Sequence, residues 1–169
     1  VTFNNLPTYN IKLNPEKCVF GVPSGNLLDF IVSNRGIEAN PAKIRALSQL
    51  AIPADLKHIQ KLTGCVAALS RFISRLGQKA LPLYRLLRCT EHFVWTDAAA
   101  AGLDEIKTLL ASNPVLTAPN TGEPMLLYIA ATHQVVSAVL AVEKEADGYK
   151  FPLQKPVYYV SIVLIPCKS

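Results

Sequence analysis

Lys57, Gln60, Lys61, Gly64, Ala67, Ala68, Arg71 and Arg75 follow one another at spacings that put a contact stripe and its flanking cations along one side of a helix. Small side chains at Gly64, Ala67 and Ala68 let another body approach the backbone, and the cations favour phosphate. The chemistry of such a stripe is binding, not bond breaking. The same spacing also fits a second reading, in which Gly64 and Ala68 merely let a neighbouring helix pack close. Spacing alone favours this second reading. The surrounding charge is one-sided, with seven cations and no carboxylate between Leu56 and Thr90.

No group of residues is spaced for catalysis or for a structural metal. Cys18, Cys65, Cys89 and Cys167 form no Cys-x-x-Cys pair, and read as reduced, mostly buried thiols of an intracellular protein, cytoplasmic or nuclear. His58, His92 and His133 lack His-x-x-x-His spacing and read as solvated or capping residues. Asp104-Glu105 reads as a solvated helix face. Ser24-Gly25 and Asp147-Gly148 are turn chemistry, since no Gly-x-x-x-x-Gly-Lys follows a strand.

The elements that carry these residues follow from local pattern. Lys17 to Phe20 reads as a strand, Pro23-Ser24-Gly25 as a turn and Leu27 to Ser33 as the return strand, with a second turn at Asn34-Arg35-Gly36. Asn40-Pro41 is a helix start, because Asn caps and Pro suits the first helical position. That helix runs to about Leu50, before Pro53. Asp55 caps the next helix. Its apolar residues Leu56, Ile59, Leu62, Val66, Leu69, Phe72 or Ile73, and Leu76 recur every three or four positions, which predicts one long helix over 56–75 ended by Gly77. A short helix follows over 81–88, then a strand-like Phe93-Val94-Trp95. A helix capped by Thr96 or Asp97 reaches about Ala111 and buries Leu103, Ile106, Leu109 and Leu110. Past the loop 119–122, the best boundary in the chain, Met125 to Ala131, Val135 to Val142 and Val157 to Val163 predict an antiparallel meander. Tyr158 and Tyr159 alternate, so one ring should face the core and one the surface.

The chain has 169 residues, half of them apolar, enough for packed cores. No apolar run approaches the roughly 20 residues of a membrane span, and no signal segment is present. With no initiator Met, Val1 reads as an arbitrary cut or a truncated frame. The net charge of +5 is uneven. Residues 1–90 carry twelve cations against four carboxylates, and residues 91–169 five against eight. A polyanionic partner for the first half follows.

Several runs together resemble the Pol polyprotein of gypsy-type LTR retrotransposons, of the kind abundant in plants. They are Lys-Leu-Asn-Pro-Glu-Lys-Cys-Val-Phe (12–20), Phe-Ile-Val-Ser (30–33), Gly-Ile-Glu-Ala-Asn-Pro-Ala-Lys-Ile (36–44), Ile-Gln-Lys-Leu-Thr-Gly (59–64), Ser-Arg-Phe-Ile (70–73), Phe-Val-Trp-Thr (93–96), Leu-Asp-Glu-Ile-Lys (103–107), Ser-Ala-Val-Leu (137–140) and Pro-Val-Tyr-Tyr-Val-Ser (156–161). The resemblance covers about 12–163. It implies an α+β fold: a small β-hairpin of the palm and primer grip, a helical thumb, and an incomplete RNase H-like antiparallel sheet. Residues 1–90 would hold the end of the palm, the primer grip and the thumb, and residues 91–169 the connection and truncated RNase H-like domain.

The resemblance also assigns roles. The hairpin at Leu28, Asp29 and Phe30 would be the primer grip, with Asp29 where the family usually has Gly, a carboxylate set against primer phosphate. Gln60, Gly64 and Ala68, with Lys57, Lys61, Arg71 and Arg75, would track the minor groove of a primer–template duplex, RNA/DNA or DNA/DNA, by shape and phosphate. This tips the stripe toward nucleic acid. The family's Tyr-x-Asp-Asp turn, which holds two magnesium ions, does not occur here. The first RNase H carboxylate is replaced by Ala130, and Val135 and Ser137 stand where the family has Gly. The chain is thus expected to be a fragment of a retrotransposon reverse transcriptase that grips duplex without a complete catalytic site or cofactor of its own, partnered by the rest of Pol. The alternatives are a domesticated protein-interaction module and a non-functional pseudogene product.

Overall fold

The computed structural model describes residues 2–88, 93–145 and 148–164. His92, Cys89 and Cys167 lie outside them, as does Asp147 of the expected Asp147-Gly148 turn. Among the described residues the chain is α+β. Its five helices are α1 (Thr2–Thr8), α2 (Pro41–Gln49), α3 (Leu56–Ala68), α4 (Leu76–Leu86) and α5 (Asp97–Ala111). Strands β1 (Ser24–Leu27), β2 (Phe30–Ser33), β3 (Gly36–Ala39) and β4 (Val115–Leu116) form one sheet in that order. Strands β5 (Met125–Ala131), β6 (Val135–Lys144) and β7 (Leu153–Val163) form a second, antiparallel meander. Among the described residues no helix is long and apolar enough to cross a membrane.

Caps fix the helix starts. Asn40 accepts from the Ala42 N–H, Asp55 from His58 and Thr96 from Ala99, each satisfying a backbone donor that has no partner within its helix. The core lies among α2 to α5, β3 and β4. Leu47, Ile59, Leu62, Val66, Leu69, Ile73, Leu83, Ile106 and Leu110 are fully buried there. Tyr159 packs against this core while Tyr158 stays exposed, as their alternation requires.

Several sequence expectations are corrected. Lys17 to Phe20 is not a strand: Pro15–Lys17 forms a 3-10 turn capped by Asn14, and Val19 and Phe20 remain exposed. Ser24 and Gly25 belong to β1 rather than to a turn, and the expected return strand is split at Leu28-Asp29. The long helix breaks after Ala68. A 3-10 turn (Ser70–Phe72) follows, and Arg75 takes the left-handed conformation at φ 51° before α4 starts. Gly77 therefore lies in the first turn of α4, and the expected 81–88 helix is the second half of the same element. Phe93, Val94 and Trp95 form no strand. Phe93 and Trp95 pack half-buried on the core ahead of the Thr96 cap.

Two glycines mark close approaches. Gly77 donates its N–H to Ser161 Oγ at 2.8 Å, and Ser161 and Ser137 share a hydroxyl hydrogen bond of 2.7 Å. A Cβ on Gly77 would sit 2.8 Å from both Ser161 Oγ and Val135 Cγ1, so α4 lies directly on the meander. Gly36, at φ +130°, faces the Leu116 carbonyl where β3 meets β4. Lys144 and the Asn120 N–H hold the Glu123 carboxylate below its usual pKa, tying the loop ahead of β5 to β6. Because that pKa is depressed on folding, the tie is present at neutral pH and is lost as pH falls through the lowered value.

Candidate nucleic-acid interface

The 3.6-residue repeat of α3 buries Ile59, Leu62, Thr63 and Val66 on one side. That leaves Lys57, Gln60, Lys61, Gly64, Ala67 and Ala68 exposed on the other. Within this chain the small residues have no packing partner among the described elements. A Cβ built on Gly64 meets nothing within 4 Å, so no described element packs on this stripe. Lys57 and Lys61 have no carboxylate partner among the described residues. The His58 ring instead sits 3.0 Å from the Asp55 cap.

Arg71 and Arg75 lie beyond the helix break. The Arg71 guanidinium stacks 4.4 Å over the Phe30 ring and 5.9 Å from the Tyr158 ring. Phe30 in turn tilts against buried Phe72 at 5.7 Å. This cation–π stack joins the first hairpin to β7 and holds the cation in place without an ion pair. Arg75 is exposed. It borders a cavity of about 170 Å³ that is also lined by Tyr128, Ala130 and Tyr159.

The hairpin turn at Leu28-Asp29 has Leu27 paired with Phe30 and both central residues at positive φ, 47° and 72°. That is a type I′ geometry, which Asn-Gly suits and a branched Leu does not. Leu28 is 84% exposed, so no packing offsets its strain. Asp29 reaches Lys43 at 2.8 Å, so its carboxylate faces a cation of α2. Leu28→Asn with Asp29→Gly should raise stability by about 1–2 kcal/mol, read as a higher urea midpoint with an unchanged slope. An unchanged or lower midpoint would show that the ion pair outweighs the turn strain.

The described residues contain no group of three or more His, Cys, Asp or Glu able to hold a metal ion. Ala130 pairs with Ser137 across β5 and β6 and offers no ligand atom where the resemblance expects a carboxylate. Among the described residues the donor set does not fit a two-magnesium site. Sequence reasoning overlooked the ring pair around Arg71 and the Lys43 partner of Asp29. Both depend on contacts between elements that no local pattern announces.

No family model matches the chain. The Pol polyprotein from transposon opus of Drosophila melanogaster is 25% identical over 168 aligned residues, 93% of this chain and 16% of the relative. The transposon Tf2-3 polyprotein of Schizosaccharomyces pombe is 28% identical over 144 residues, 85% of this chain and 11% of the relative. The chain therefore spans only 11–16% of the length of these relatives. A foamy viral protease–reverse transcriptase in complex with double-stranded DNA matches 89% of the chain and 30% of that structure, at TM-score 0.70 and 19% identity. The same protein with an RNA/DNA hybrid matches 85% of this chain and 19% of its own, at TM-score 0.65 and 19% identity. These likenesses support a retroelement Pol fragment with the fold of the matching part of those structures.

Proposed function

We propose that this chain is the duplex-gripping part of a gypsy-type, plant-type reverse transcriptase: the end of the palm, the primer grip and the thumb over 1–90, then a connection and a truncated RNase H-like sheet over 91–169. The observation that carries this reading is the open stripe of α3. Gln60, Gly64 and Ala68 are exposed on the same side of α3 as Lys57 and Lys61, with empty space above Gly64, a surface that a nucleic-acid backbone fits without displacing side chains. Relatives whose names are Pol polyproteins, and structural neighbours described in complex with double-stranded DNA or an RNA/DNA hybrid, support a primer–template duplex as ligand.

The chain's own residues bind and orient; nucleotidyl transfer and its magnesium belong to other parts of Pol. Exposed Phe3, Phe20, Leu27 and Leu28 on the first segments support a face covered by the rest of that polyprotein. The reading is tested by fluorescence-anisotropy titration with a labelled duplex of about 20 base pairs, an RNA/DNA hybrid, across a salt series. It expects binding at low salt that weakens steeply as salt rises, with little dependence on sequence. Absence of binding at about 20 mM salt sinks it and favours the protein-interaction alternative.

A further inference from the structure

We infer that the open face of the β5–β6–β7 meander docks a second copy of this chain, sheet against sheet. Register and alternation define that face. Leu127 lies beside Leu140, and Leu140 beside Tyr158. Ile129, Ala138 and Val160 form the next rung, and Ala131, Val136 and Ile162 the third. None of these nine side chains is charged. Ser137 and Ser161 alternate with them and belong to the opposite face, where Ser161 Oγ accepts from the Gly77 N–H of α4.

α4 therefore covers one face of the meander and leaves the other open. Leu127, Ile129, Tyr158, Val160 and Ile162 are 38–66% exposed there. Single exposed apolar side chains are ordinary on a protein surface and need no partner. Three contiguous uncharged rungs form a patch of the kind that marks an interaction site.

Area and charge favour a second copy as the occupant. At roughly 200 Å² for each large side chain when fully exposed, these five present about 500 Å² per copy. With Ala131 and the half-buried β6 residues added, two facing grids bury about 1,000–1,200 Å², the lower limit of a specific interface. The sheets would stack about 10 Å apart, related by a two-fold axis. An uncharged grid meets its own copy without like-charge contacts and requires no complementary charge in a partner. α4 and its cations lie behind the sheet, and Arg71 stands at the Tyr158 corner of the grid. This inference does not depend on duplex binding.

The test is sedimentation equilibrium of the full chain over about 5–200 µM, a range suited to a small interface. The weight-average mass should rise from that of one chain to that of two and stop there. Ile129→Lys and Val160→Lys each place a charge in the dry contact and should raise the dissociation constant about 10-fold or more. Both positions are exposed, so the far-ultraviolet circular dichroism spectrum should stay unchanged. Val160→Thr keeps a branched strand former in place if the lysine variants do not fold, and should weaken association by a smaller factor. Lys57→Gln with Lys61→Gln should leave the mass unchanged. A single-chain mass at every concentration overturns the inference, as does a single chain that cosediments with phosphatidylcholine vesicles, which assigns the grid to a lipid surface. The edge of β5 away from β6 pairs with no strand among the described residues. Association abolished by Ile129→Lys but untouched by Val160→Lys would assign it to that edge and overturn stacking. Growth beyond two copies would overturn it too.

Discussion

Lys57→Gln combined with Lys61→Gln should weaken hybrid-duplex binding roughly 10-fold or more at about 0.1 M salt, and the slope of log K against log salt should fall by about 1.8, close to 0.9 for each phosphate left without its lysine. Both lysines are exposed on the face of α3 opposite its buried residues, so their removal leaves the core untouched. The thermal midpoint should therefore stay within a degree or two, since surface substitutions of this kind change stability by about 0.5 kcal/mol or less. Equal slopes for variant and parent would mean that phosphate does not pass along α3. The control is Arg45→Gln on α2, a single exposed cation outside the stripe, which should change the slope little.

Gly36→Ala should be strongly destabilising for a single methyl, by about 3 kcal/mol. Two costs combine. A φ of +130° is a backbone conformation that residues with a Cβ rarely adopt, and the added methyl meets the Leu116 carbonyl. The chain relieves that clash by opening the β3–β4 pairing of Ile37 with Leu116 and Glu38 with Val115. Leu116 is buried in the core, so the damage spreads inward. For a chain of this size the melting temperature should fall by roughly 6–12 °C. Gly122→Ala is the informative comparison. It also has positive φ, +78°, but its Cβ meets nothing within 4 Å, so the backbone cost appears without the clash. Equal destabilisation at both sites would show that the β3–β4 pairing contributes little.

Elements whose ends carry chemical signals were legible in the sequence. The Asn40-Pro41 and Thr96 starts can be read from sequence because cap and first-turn residues sit together in the chain. β5 ran over Met125–Ala131 as its apolar run implied. The break after Ala68 was not legible. Leu69, Phe72, Ile73 and Leu76 are all buried and keep the three- and four-residue rhythm of α3 straight through the corner. The residue at positive φ is Arg75, while the nearby glycine, Gly77, serves a close approach to the meander. The type I′ turn was hidden for a related reason, since Leu28-Asp29 is not a turn signal and reads as strand. β4 has only two residues and exists through its pairing with β3.

The candidate site divides in the same way. The stripe on α3 was readable because it depends on spacing within one helix. The stacking of Arg71 between Phe30 and Tyr158 depends on three segments far apart in sequence, and so became visible only in the fold.

The most direct measurement is duplex affinity of Gly64→Leu beside its thermal stability. Gly64 is exposed, mid-helix, and has empty space above it. Replacing Gly by a good helix former should raise stability by about 0.8 kcal/mol, while the new side chain blocks close approach to the α3 backbone. The account predicts a more stable protein that binds hybrid duplex more weakly by about 10-fold or more. A stable variant with undiminished affinity would contradict the assignment of α3 as the duplex-gripping surface.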